Sequence, residues 1–203
     1  LERKGLSVLL LLHLTCFDMS YIHYYSTKIF PFVEFEHDQT REIALKELLL
    51  FLEQHKCILY IRMHLYDKTG LEWLHQLDVP GSPIRFLNED RCPDIMEILN
   101  IFDLLITDYS SIYIDYLLLH KPMIFLPYDK EEYLADRGMN FDYDQVTPGP
   151  KPKNYKELLN SIDELLYNQN NYEQQREEVN QFFNEIQEPC CEKICSYVKD
   201  IVL

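Results

Sequence analysis

The sequence predicts an α/β fold: a parallel sheet covered by helices on both faces, followed by a helical C-terminal segment. Three observations predict it. Short, wholly apolar runs such as residues 57–61 and 104–106 lack polar alternation, as strands buried on both faces do. They alternate with segments of helical periodicity, the pattern of a doubly wound sheet. From about residue 153 the strands stop and helical patterns alone remain, with Pro148-Gly149-Pro150 between the two regimes.

The first element is a buried strand over residues 6–14. The surrounding "RKGLSVLLLLHLTC" places basic residues ahead of an apolar run, as a signal peptide does. His13 interrupts that run, however, and it falls well short of the ~20 residues that span a bilayer. Residues 15–39 form an aromatic-rich connection to which periodicity assigns no element. A helix follows over 41–56, with Ile43, Leu48, Leu49 and Leu52 at helical spacing, Glu42 near its start and His55-Lys56 at its end. Next come a strand at 57–61, a short helix in "GLEWLHQL" and a strand in "PIRFL". "PDIMEILNIF" opens with Pro93-Asp94, a good helix start. Strand 103–107, helix 110–119 and strand 122–126 complete the alternation. Three C-terminal helices are expected in "NYKELLNSIDELLYNQ", "NYEQQREEVNQFF" and "CCEKICSYVKDIVL".

With 203 residues the chain has the length of one well-cored domain or at most two small ones. It reads as a single domain, with a core over 1–150 and a helical segment over 151–203. The formal net charge of -15 argues against nucleic acid as a partner, since a phosphate backbone is repelled without a concentrated basic patch. The densest basic spots are Arg3-Lys4 and Lys151-Pro152-Lys153. The six cysteines (Cys16, Cys57, Cys92, Cys190, Cys191, Cys195) have no framework spacing, which predicts free thiols and a reducing compartment. The Cys190, Cys191, Cys195 group has no CxxC pair and no nearby histidine, so no metal site is expected.

In an open parallel sheet, ligands bind beyond the C-terminal ends of the strands. Three polar loops fall there: Arg62-Met63-His64, Asp108-Tyr109-Ser110-Ser111, and Pro127-Tyr128-Asp129 leading to Asp136-Arg137-Gly138. Ser110 is placed to cap the next helix, whose free N–H groups and dipole end suit a phosphate, with serine hydroxyls as further donors. Capping alone explains one serine of the two. Asp115, amid Ile112, Ile114, Leu117, Leu118 and Leu119, either needs a partner in a buried setting or lies on the solvent edge. Arg62 and His64 are a candidate phosphate-neutralising and proton-moving pair, against the plainer reading of an incidental loop histidine. Arg137-Gly138 offers a guanidinium fork beside a backbone that a ligand can approach, or simply a surface arginine at a helix end. With only 5 glycines, a Gly-rich phosphate loop is excluded.

The stretch "DLLITDYSSIYIDYLLLHKPMIFLPYDKEEYLADRGMNFDYDQVTPGP" resembles the C-terminal half of the CDP-glycerol glycerophosphotransferase family, which primes and polymerises teichoic acid. "TDYSS", the following "KP", "YD…Y…RG" and "PGP" occur in the family's order and at similar spacing. The resemblance implies a GT-B architecture, two Rossmann-like domains facing across a cleft. This chain is then the C-terminal, donor-binding one, with its last helices packing back across the pair. A preceding N-terminal domain, bearing a second active-site histidine and the acceptor surface, is expected outside these 203 residues.

Residue by residue, the resemblance makes His64 the catalytic group. It assigns Arg62, Asp108, Ser110, Ser111, Asp115, Arg137 and Gly138 to the donor's phosphates and nucleotide. The implied reaction is attack of an acceptor hydroxyl on the β-phosphorus of CDP-glycerol, releasing CMP, with no cofactor or metal. A polyol-phosphate or lipid-linked acceptor and a cytoplasmic location, peripheral at the inner membrane face, follow from the same likeness. The sequence departs from the family at Leu14-Thr15-Cys16-Phe17-Asp18, where a Pro-Thr-aromatic-Arg motif is usual. Other readings are a nucleotide-binding remnant without turnover and a GT-B glycosyl or ribitol-phosphate transferase.

Overall fold

A computed structural model describes residues 6–12, 38–63, 77–127, 129–167, 172–186 and 190–202. Its centre is a five-stranded sheet of β1 (Leu6–Leu12), β2 (Cys57–Met63), β3 (Ile84–Phe86), β4 (Leu104–Thr107) and β5 (Met123–Phe125), in the order β3-β2-β1-β4-β5. Every pairing is parallel; Leu11 lies opposite Arg62 on one side and Thr107 on the other. The order reverses between β1 and β4, which makes that edge the switch point of a Rossmann-like sheet. The run at residues 6–12 is thus a central strand, where a buried strand is expected.

Side chains alternate across the sheet, and each face has its own core. Leu104 and Ile106 of β4 join Ile124, Leu59, Ile61 and Ile84 on one face. There they are covered by Leu48 and Leu52 of α1 (Asp38–Gln54) and by Leu158, Ile162 and Leu165 of α5 (Tyr155–Tyr167). Leu105, Met123 and Phe125 turn to the other face and meet Ile112, Tyr113, Tyr116 and Leu117 of α2 (Ile112–Leu117). Val179 of α6 (Glu173–Phe183) joins that layer, and the Asn184 amide just beyond α6 donates to the Ile114 carbonyl at 3.0 Å. Burial on both sides is why these strands read as unbroken apolar runs.

Several expected elements differ in detail. The "PDIMEILNIF" helix is a 3₁₀ helix, Ile95–Ile101, with the Asp94 carboxylate accepting from the Met96 N–H at 2.8 Å. Residues 118–120 close α2 in tightened three-residue turns, and His120 takes a left-handed φ of 54° there. Two short helices escape the periodic pattern: α3 (Lys130–Asp136) and α4 (Tyr143–Val146). The first buries no residue and so carries no apolar stripe to read. The helix expected in "GLEWLHQL" falls mostly outside the described residues. The last helix, α7 (Cys191–Val202), exposes Ile194, Tyr197, Val198 and Ile201 at helical spacing.

Candidate functional site

A cleft of about 740 Å³ opens among the segments that follow β4 and β5. Ser111 from the β4–α2 loop, Tyr133 of α3, Arg137-Gly138 at the end of α3, and Tyr143 of α4 line it. Tyr109, Phe141 and Phe183 add aromatic wall. Arg137 is the one cation among the described lining residues.

The serine pair divides in role. Ser110 Oγ accepts from the Ile112 N–H at a long 3.5 Å, a weak bond. Ser111 makes no side-chain cap bond and turns its exposed residue to the cleft. The N-cap position of α2 thus falls on Ser111 and not on Ser110 as the sequence suggests; Ser110 makes only the weak local bond, and Ser111 lines the cleft.

Asp108 is buried (1% exposed) at the end of β4. Its carboxylate accepts from the Tyr109 N–H at 2.7 Å, and its carbonyl accepts from the Tyr143 hydroxyl at 3.1 Å. It shapes the loop from beneath and does not line the cleft. Asp115 is exposed, so the solvent-edge alternative describes it, and its burial carries no cost. Arg62 is held elsewhere: its guanidinium donates to the carbonyls of Leu87 (3.2 Å), Cys92 (2.6 Å) and Pro93 (3.4 Å), tying β2 to the start of the 3₁₀ helix. His64 lies outside the described residues, as does the Leu14 to Asp18 segment. The expected site residues thus converge only in part, at Ser111, Arg137 and Gly138.

Gly138 ends α3 in a left-handed conformation, φ +69°, with its N–H donating to the Leu134 carbonyl at 3.2 Å. Nothing would crowd an added Cβ. The backbone angle asks for glycine here, as the residue after a helix C-cap commonly does.

The tyrosines were given no role from the sequence, although Tyr109 and Tyr133 fall within the "TDYSS" and "YD…Y…RG" stretches. Tyr109 stacks on Tyr133, with centroids 4.0 Å apart and planes 20° from parallel, and its hydroxyl donates to Asp129 Oδ1 at 2.7 Å. Burial raises the pKa of Tyr109, and the Asp129 hydrogen bond and charge raise it further. Tyr143 is raised by burial and by the Asp108 charge, and Tyr133 by burial against the opposing pull of Arg137. All three stay protonated at neutral pH, so they bring aromatic faces and no negative charge to the cleft. One signal was available: Tyr133 precedes Arg137 by one helical turn and shares its face.

Tyr113, also in the wall, has its pKa pushed up to about 12 by burial. Its stabilising effect is fully present below the unfolded value of 10.0 and is lost as pH rises from there through about 12. Urea midpoints measured at about pH 9 and about pH 11.5 are expected to fall less in Tyr113→Phe than in the parent; equal falls would show that Tyr113 does not titrate with unfolding.

The arrangement suits a molecule with a flat ring and an anionic group: aromatic walls, one guanidinium and one uncommitted serine hydroxyl face one space. The sheet order and this cleft define a Rossmann-like domain of the kind that makes up one half of a GT-B architecture. Within that class, the chain belongs to the CDP-glycerol:poly(glycerophosphate) glycerophosphotransferase family, whose model matches residues 26–199. It is 37% identical over 105 residues to the teichoic acid poly(ribitol-phosphate) polymerase of Bacillus spizizenii, a match covering 52% of this chain and 16% of that protein. It is 41% identical over 73 residues to the teichoic acid poly(glycerol phosphate) polymerase of Bacillus subtilis, covering 36% of this chain and 10% of that one. The solved wall teichoic acid polymerase TagF superposes with a TM-score of 0.60 at 23% identity, over 99% of this chain and 43% of its own. The chain therefore spans less than half the length of these relatives.

Proposed function

We propose that this chain is the donor-binding half of a glycerophosphotransferase, holding CDP-glycerol while its glycerol phosphate passes to a polyol-phosphate or lipid-linked acceptor. The observation that carries this reading is the convergence of Ser111, Arg137 and Gly138, from two separate loops, on one aromatic-walled cleft. Family membership supplies the donor: a cytidine ring has walls to lie against, and a diphosphate has a guanidinium and a hydroxyl to meet.

In the proposed reaction an acceptor hydroxyl oxygen bonds to the β-phosphorus, and the bond from that phosphorus to the bridging oxygen breaks. CMP leaves, and the hydroxyl proton passes to a base, for which His64 is the candidate. Positioning and charge stabilisation supply most of such a rate. The acceptor surface and the rest of the GT-B pair belong to a preceding domain in this reading. The exposed apolar stripe of α7 supports it, as a face suited to packing across the pair. Among the described residues no helix is long and apolar enough to cross a membrane. Work at the cytoplasmic membrane face would accordingly be peripheral, and with a net charge of -15 would depend on that other domain.

Calorimetric titration of CDP, CDP-glycerol and CDP-ribitol into the chain tests the reading. Heat and thermal stabilisation with CDP and one CDP-polyol are expected, and the preferred polyol decides between the glycerol and ribitol chemistries of the relatives. No heat with any of the three would sink the donor-domain reading. Ser111→Ala is expected to weaken CDP binding by about 1 kcal/mol, the scale of one hydrogen bond, and Ser110→Ala by less. Equal affinity in Ser111→Ala would remove its hydroxyl from the site.

A further inference from the structure

The cleft's polar groups sit on elements that the core does not hold together. Ser111 belongs to the β4–α2 loop, anchored by a buried strand and by Ile112. Arg137 and Gly138 end α3, which buries none of its residues. A helix without buried side chains takes no position from hydrophobic packing, and a seven-residue helix has little stability of its own. Something else must hold Arg137 in the cleft that Ser111 lines.

Tyr109 reaches both sides. It precedes the serine pair in the chain, its ring lies flat on Tyr133 of α3, and its hydroxyl donates to Asp129, the residue before α3, at 2.7 Å. From there the backbone carries the constraint onward. The Tyr133 N–H donates to the Asp129 carbonyl at 2.9 Å, and the Arg137 N–H donates to the Tyr133 carbonyl at 2.9 Å. A second tether, Lys130 Nζ to Asp144 Oδ2 at 2.5 Å, is half open to water on the carboxylate side and so contributes less.

We propose that Tyr109 and Asp129 are positioning residues: their hydrogen bond, with the Tyr109–Tyr133 stack, clamps α3 to the β4–α2 loop and sets Arg137 opposite Ser111 for an anion bound between them. Both lie within the quoted "TDYSS" and "YD…Y…RG" stretches, but the resemblance assigned neither of them a role. The consequence for binding rests on the donor reading above; the clamp itself does not.

Two measurements on the 203-residue chain separate the two claims. The first is amide exchange by NMR in the parent, Tyr109→Phe, Asp129→Ala and Asp129→Asn. The Arg137 and Gly138 amides are expected to be protected in the parent and to exchange about tenfold faster in Tyr109→Phe and Asp129→Ala, the scale of one charge-assisted hydrogen bond. Leu105 and Phe125 amides in the sheet should be unmoved, and Asp129→Asn, which keeps an accepting oxygen, should restore protection. Fast exchange at both amides in the parent, or unchanged exchange in the two disrupting variants, overturns the clamp.

The second measurement is CDP affinity. It should fall about tenfold in Tyr109→Phe and in Asp129→Ala, with the double variant no weaker than either single one, because both remove the same bond. Losses that multiply would mean that the two residues act independently, and overturn the proposal. A parent chain that does not bind CDP overturns the donor reading, and the exchange result still decides the clamp.

Discussion

Replacing Arg137 by alanine is expected to weaken CDP binding by about 10- to 100-fold while leaving the melting temperature within about 2 °C of the parent. The size follows from what the side chain is. Among the described residues lining the cleft it is the one cation, in a chain whose net charge is -15. In a chain of that net charge, an incoming diphosphate needs such a local positive group to offset long-range repulsion. A hydrogen bond between charged groups contributes about 1.5–3 kcal/mol, which is the stated range of affinity.

The stability expectation has a separate cause. Arg137 sits at the end of a helix with no buried residue, and its contact with Asp136 is 3.9 Å long, to a carboxylate 83% exposed. Surface pairs of that kind add little to folding. Arg137→Lys should recover part of the affinity, since it keeps the charge and loses the planar fork. Calorimetry at low and high salt checks both variants. If alanine at 137 binds CDP as the parent does, the cleft is not the phosphate seat.

Gly149→Ala is expected to destabilise the fold by about 3 kcal/mol, read as a lower urea midpoint at unchanged slope. A Cβ at this position would lie 2.2 Å from the Met123 carbonyl oxygen and 3.2 Å from the Phe125 ring. The nearest obstacle is the backbone of β5, which has no rotamer by which to yield. Relief requires the 147–150 segment to lift from the sheet edge. That movement would break the bond from the Phe125 N–H to the Pro150 carbonyl, 3.0 Å in the native fold, and leave a buried donor unpaired. Tyr143, whose carbonyl accepts from the buried Thr147 hydroxyl, would lose its seat in the cleft wall, so CDP affinity should drop as well. A midpoint equal to the parent's would show that the segment does not pack on β5 as described. Gly138→Ala is a fitting control, since that site has open space and is strained only through its φ.

Pro148-Gly149-Pro150 also illustrates how the sequence is best read. As a string it is punctuation between an alternating and a helical regime. Its packing against β5, and the need for glycine because a carbonyl lies where a side chain would be, depend on a contact between residues 26 positions apart. No local pattern encodes such a contact. Arg62 gives the opposite lesson. A basic residue at a strand's C-terminal end suits a phosphate, yet its guanidinium is engaged by three carbonyls of the β3–β4 connection. Those carbonyls become neighbours only when the strands pair.

The sequence by itself determined the fold class, the succession of most strands and helices along the chain, and the family. Each of these is written in short-range terms: apolar runs buried on two faces, helical periodicity, and motif order. Tertiary structure alone decided which motif residues meet. It separated Ser111 from Ser110, turned Asp115 to solvent, and brought Arg137 across to the serine loop on a helix that the core does not hold. It also supplied the tyrosines and Asp129 that fasten that helix, through a stack and a hydrogen bond between residues 20 or more positions apart. The physical reason is that hydrophobic burial leaves a periodic trace along the chain, whereas a binding cleft is assembled from side chains on separate loops, whose distances exist only once the sheet has set them.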